Sequence, residues 1–129
     1  MEPSFQMGNA KVEKLLSLDA IDTLLYFEFS DKFKDHIESH AAWEMIYADR
    51  GHCNVIAGDE SFTLEQGELY FHKPFEPHML QIPAGEFPNI LICSFQCASP
   101  ILLQLGGCKM RADKEIKQHI SAIIHEAIQ

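Results

Sequence analysis

Between Leu24 and Cys97 one rhythm governs the chain: a short run rich in apolar, β-branched or aromatic residues, then a turn carrying Gly, Pro or Asp. The runs are LLYFEF, AWEMIYA, CNVIA, SFTL, ELYFH, HMLQI and NILICSFQC. The breaks are SDKFKD, DRG, GDE, EQG, KPFEP and PAGEFP. Turn signals at intervals of about eight to twelve residues, with no long helical pattern between them, predict an antiparallel sandwich or barrel. At 129 residues the chain is one domain by length and can bury one substantial core.

Within that rhythm the stretch HIESHAAWEMIYADRG is unusual. Side chains alternate across a strand, so Glu38, His40, Ala42, Glu44 and Ile46 share one face, while Ala41, Trp43, Met45 and Tyr47 share the other. Neither face is simply oily or simply wet. Further on, Gly67 closes a hairpin, and Pro74 and Pro77 pre-set the backbone of the turn that runs into His78, so the position of His78 is stiffly defined.

After Cys97 the texture changes. SPILLQL reads as a short helix and ADKEIKQHISAIIHEAIQ as a clear one, with Asp113 as its cap and Ile116, Ile120, Ile123, Ile124 and Ala127 at helical spacing. That stripe suits either self-pairing through Ile116, Ile120 and Ile124 or docking on the chain's own barrel. The helix runs to the end without Gly, Pro or a terminal cation, and Glu126 sits where the helix dipole prefers positive charge, so a further C-terminal region is expected.

A formal charge of −9 would repel a phosphate backbone, so this chain alone is not expected to bind DNA. Four of its ten basic residues lie between Lys109 and Lys117, a cluster that reads as a solvated helix start. The opening MEPSFQMGNAKVEK is no cationic leader, and no apolar stretch reaches membrane-spanning length, which points to a cytoplasmic protein with no membrane partner. Cys53, Cys93, Cys97 and Cys108 form no C-x-x-C pair and read as reduced thiols, with Cys93 and Cys97 on one strand face.

Two motifs then carry a resemblance. The chain reads Glu38-x-His40, three residues, Glu44, six residues, Gly51, and later Gly67, ELYFHKPFEP, His78. This resembles the two motifs of the cupin superfamily, with Glu38 in place of the usual first His and Phe75-Glu76 in a turn where Gly is usual. More closely, Trp43-Glu44, Gly51, Gly67-Glu68 and Pro77-His78 are similar to the N-terminal sensor domain of AraC-type transcriptional regulators. The match covers the central half of the chain.

The resemblance implies a mainly β fold, a cupin-like double-stranded β-helix (an antiparallel jelly-roll barrel) with one or two C-terminal α-helices. Residues 1–20 would be an N-terminal arm or first strand region, 21–98 the barrel, and 99–129 the C-terminal helices used for dimerisation and linkage. It also implies a small-molecule effector bound in the barrel, a homodimer, and DNA contacted only through a helix-turn-helix domain absent from this sequence.

On that fold the polar candidates for ligand binding are His40, Glu44, Tyr70, His72 and His78, with Trp43 and Phe71 as wall or core residues. No cofactor is expected. The alternative is a divalent metal, Zn, Ni, Fe or Mn, held by Glu38, His40, Glu44 and His78, whose nitrogen and oxygen donors suit such ions. A metal-dependent cupin enzyme, a dioxygenase or isomerase, is the second functional reading, and a structural cupin that only dimerises is the third. His52, His119 and His125 read as surface residues.

Overall fold

The computed structural model describes residues 19–28 and 41–128. Its strands are β1 (Ala20–Glu28), β2 (Trp43–Arg50), β3 (Cys53–Ala57), β4 (Glu60–Leu64), β5 (Glu68–His72), β6 (His78–Gln81), β7 (Asn89–Gln96) and β8 (Lys109–Arg111). Two helices follow the barrel strands, α1 (Leu102–Leu105) and α2 (Lys114–Ala127). The strands form two antiparallel sheets, one ordered β1-β7-β2-β5-β8 and the other β4-β3-β6. The chain crosses from one sheet to the other between β2 and β3, β4 and β5, β5 and β6, and β6 and β7. This is the predicted cupin-like jelly roll, with the two C-terminal helices outside it.

Each apolar run of the sequence becomes a strand because its alternation has a core to face. In register, Ile46 lies opposite Tyr70 and Ile92, and Ala48 opposite Ile90. These side chains meet Cys53, Val55, Ala57 and Leu64 of the second sheet in one core cluster between the layers. Fully burying a Val, Leu or Ile side chain contributes about 1.5–3 kcal/mol, so this interior holds the sheets together.

The opposite face of the larger sheet is also dry. Tyr47, Leu69 and Leu91 pack with Ala112 and Ile120 under α2, and Trp43 and Phe95 pack with Leu102 of α1. Trp43 is therefore a core residue of the outer layer, and Phe71 packs half-buried against it. Cys93 and Cys97 both join the cluster under α1, on one face as expected. Gly106, after α1, has no room for a side chain: a Cβ there would come within 2.9 Å of Trp43 Cζ3.

Asp113 caps α2 as predicted, its carboxylate accepting from Ile116 N at 2.9 Å. Of the two fates open to the stripe, Ile120 and Ile124 take docking on the barrel. Ile116 and Ile123 stay exposed, because the stripe is wider than the seam it covers. No helix among the described residues is long and apolar enough to cross a membrane.

Strand β8 has no counterpart in the sequence reading. Its Lys-Met-Arg pattern buries only Met110 partly, and it is held to β5 by pairing of Glu68 with Arg111 and Tyr70 with Lys109. Three residues flanked by charge give no legible strand period. His52 lies toward the surface as expected, with Nδ1 3.6 Å from Glu86 Oε1.

Candidate functional site

Strand β2 divides its side chains as the alternation predicts, with Trp43, Met45 and Tyr47 on the helix-covered face and Glu44, Ile46 and Ala48 facing the second sheet. Glu44 is the one acid on that inner face, and it lies at the end of the barrel where β5 finishes. Its register partners are His72 on β5 and Ser94 on β7. From the other sheet, His78 opens β6 opposite Ala57. Glu44, His72, His78 and Ser94 are all buried, between 2% and 8% exposed.

Glu44 bridges the layers. Its Oε2 lies 3.3 Å from His78 Nε2, and Ser94 Oγ donates to its Oε1 at 3.5 Å. The other nitrogen of His78, Nδ1, is 2.9 Å from the carbonyl oxygen of Glu76. A carbonyl only accepts, so Nδ1 carries the hydrogen. In a neutral ring Nε2 would then present a lone pair to a carboxylate oxygen, which repels it. A proton shared by the pair, as imidazolium against carboxylate or as imidazole against carboxylic acid, would remove that repulsion and leave the pair neutral as a unit.

His72 stacks on His78, with ring centroids 4.3 Å apart and planes 17° from parallel. Its Nδ1 is 3.6 Å from Glu76 Oε1, an ion-pair contact longer than a hydrogen bond. The rings continue inward: Tyr70 meets His72 edge-on at 4.9 Å, and Phe62 meets Tyr70 at 4.8 Å. Burial pushes the Tyr70 hydroxyl up to about 12, reinforced by the charges of Glu76 and Glu60. Burial, then the Glu44 charge, also raises the neighbouring Cys93 thiol.

The turn that carries Glu76 explains how the motif survives its substitution. Phe75 has φ 65°, the left-handed conformation that a glycine adopts freely. The backbone keeps the glycine shape with a phenylalanine in it, at a cost of roughly 1–2 kcal/mol. Phe75 itself is 70% exposed, while the shape it adopts lets the chain turn from His72 to His78.

Of the five ligand-binding candidates, Glu44, Tyr70, His72 and His78 come together; His40 lies outside the described residues, as does Glu38. The sequence reading did not choose Ser94 and Glu76 as site residues. Ser94 had a signal, being a lone hydroxyl in phase with the inward-facing Ile90 and Ile92. Glu76 had none, because its role depends on how the turn folds back.

His72 and His78 do not converge on one metal ion, and Glu38 and His40 of the expected metal set lie outside the described residues. Parallel stacked imidazoles aim their in-plane lone pairs side by side, whereas a metal needs them converging on one point about 2.0–2.1 Å away. Nδ1 of His78 faces the Glu76 carbonyl, and its Nε2 faces Glu44, the other described member of the expected metal set. Among the described residues no group of three His, Cys, Asp or Glu side chains is arranged to hold a metal.

No protein-family model matches this chain, and no curated protein does. Solved structures do show similarity. Bacillus subtilis oxalate decarboxylase at pH 4.6 is 25% identical over 46% of this chain, with a TM-score of 0.41. The FeII HppE structure is 20% identical over 56% of this chain and 40% of its own, with a TM-score of 0.46. The Clostridium difficile EutQ protein is 12% identical over 65% of this chain and 64% of its own, with a TM-score of 0.47. The matched region spans 17% of the length of the oxalate decarboxylase.

Proposed function

We propose that this chain is the effector-sensing and dimerisation domain of a cytoplasmic AraC-type transcriptional regulator. A small polar molecule binds at the Glu44–His72–His78 end of the barrel and controls a helix-turn-helix domain carried elsewhere in the parent protein. The observation behind this reading is that buried polar side chains from both sheets gather at one end of an otherwise apolar interior. Small-molecule sites combine apolar walls with a few convergent polar groups in this way.

The cluster also suits a sensor because it ties the two layers together. A ligand that inserts a hydroxyl or amine between Glu44 and His78 exchanges one inter-sheet contact for two of its own. It can shift the regulator's equilibrium only if it binds the two arrangements with different affinity. The exposed Ile116 and Ile123 of α2, with Ile128 at its C-terminal end, supply apolar surface for a homodimer.

The test is a thermal-shift screen of polar metabolites on wild type and His78→Ala, with elemental analysis of both proteins. A compound that stabilises wild type, and loses that effect in a His78→Ala protein of unchanged far-UV circular dichroism, supports the reading. Near-stoichiometric metal in wild type that is absent from His78→Ala sinks it in favour of the metal-dependent cupin enzyme.

A further inference from the structure

Helix α2 sorts its residues onto distinct faces. Ile120 and Ile124 dock on the barrel, while Lys114, Lys117, Gln118 and Ser121 fall at i, i+3, i+4 and i+7 and line an open groove of about 410 Å³. Every side chain lining it is a hydrogen-bond donor, in a chain with 19 acidic and 10 basic residues. The helix's acids, Glu115 and Glu126, are eleven residues apart, three turns, and so share a different face.

Strand β8 extends the same positive surface. Arg111 of β8 and Lys117 of α2 converge over Gly67: Arg111 Nη1 and Lys117 Nζ lie 3.4 and 3.5 Å from where a Cβ would stand. Glu68 is the nearby counter-charge, but it is shared between Lys109 Nζ at 3.6 Å and Arg111 Nη2 at 3.5 Å. Among the described residues, no carboxylate comes within ion-pair distance of Lys114 or Lys117. Asp113 stands four residues before Lys117, but its carboxylate caps Ile116 N, and the positions four residues after the two lysines hold Gln118 and Ser121.

We propose that this groove is the docking surface for an acidic segment of a partner protein, a role separate from effector binding in the barrel. Charge complementarity selects the occupant. The donor face spans seven residue steps of helix, about 10 Å, the length of about three extended residues, so it matches two or three acidic side chains. A nucleic acid is disfavoured because a polyanion running beyond the patch meets the field of a chain with net charge −9.

Fluorescence anisotropy of a labelled peptide of about six Asp and Glu residues tests this on the whole chain. Wild type is expected to bind it with affinity that falls as salt rises, and Lys114→Glu/Lys117→Glu to weaken it about tenfold. His78→Ala should bind like wild type, which separates this surface from the barrel site. Should the charge-reversed protein lose its helical circular dichroism, Lys114→Gln/Lys117→Gln is the variant to read, with a weakening of about threefold expected. No binding by wild type, or equal binding by a folded variant, overturns the proposal. A single- or double-stranded oligonucleotide that binds the same lysines more tightly than the peptide overturns it in favour of nucleic acid.

Discussion

The two faces of the five-stranded sheet solve the same problem by different chemistry. The outer face, with Trp43, Tyr47, Leu69, Leu91 and Phe95, is covered by helices and is mostly apolar, its polar contact being Tyr26 with Asp49. The inner face is apolar from Ile46 onward but begins with Glu44, which with Ser94 and His72 meets His78 of the other sheet. An apolar layer is held by area and shape. The polar end is held by protons and direction, so it can respond to a ligand in a way the helix-covered layer cannot.

The largest test of this contrast is Trp43→Ala. It empties the space between β2, Phe95 and Leu102, and should cost about 4 kcal/mol in urea denaturation. A loss under about 1 kcal/mol would mean that α1 is not a structural cover.

Next in size, Glu44→Ala leaves the proton of His78 without its partner and should cost about 3 kcal/mol. Glu44→Gln should cost about 1 kcal/mol, because the amide can donate to Nε2 of a neutral ring. Equal losses in the two variants, measured by the same denaturation, would contradict the proton-holding pair.

An alkaline titration compares both layers at once. The chain's three tyrosines are Tyr26, Tyr47 and Tyr70. Burial raises all three, Tyr26 to about 12 with help from its hydrogen bond to Asp49, and Tyr70 to about 12. A phenol raised in the folded state contributes stability that is complete below its unfolded value near pH 10 and is lost as pH rises through the folded value. Ultraviolet absorbance should therefore show little tyrosinate near pH 10, followed by ionisation together with unfolding toward pH 12. An ordinary transition at pH 10 would mean that one of these layers is wet.

The smallest effect concerns the turn. Phe75→Gly relieves the left-handed strain and should raise stability by about 0.5–1 kcal/mol, net of the extra freedom glycine gives the unfolded chain. Thermal denaturation with no gain, or a loss, would show that the phenylalanine ring contributes more than its backbone costs.

Much of this architecture was legible in the residues. β2 through β7 fall on the apolar runs because period-two alternation and Gly or Pro punctuation act locally. Asp113 announced its helix, since a cap is also a local device. The partition of β2, Glu44 inward and Trp43 outward, followed from parity alone. β8 was not legible, because its only apolar residue is Met110 and its place depends on Glu68 being opposite.

The alternation of β2 by itself determined that Glu44 and Trp43 must part company, and the proline turn determined that His78 would be stiffly held. Tertiary structure alone decided that these two residues meet. Crossing from one sheet to the other brings His78 Nε2 against a carboxylate 34 positions earlier in the chain, lays His72 on the same ring, and turns the Glu76 carbonyl toward Nδ1. Contacts between layers depend on where the crossovers place each strand, and no period along the chain encodes that distance.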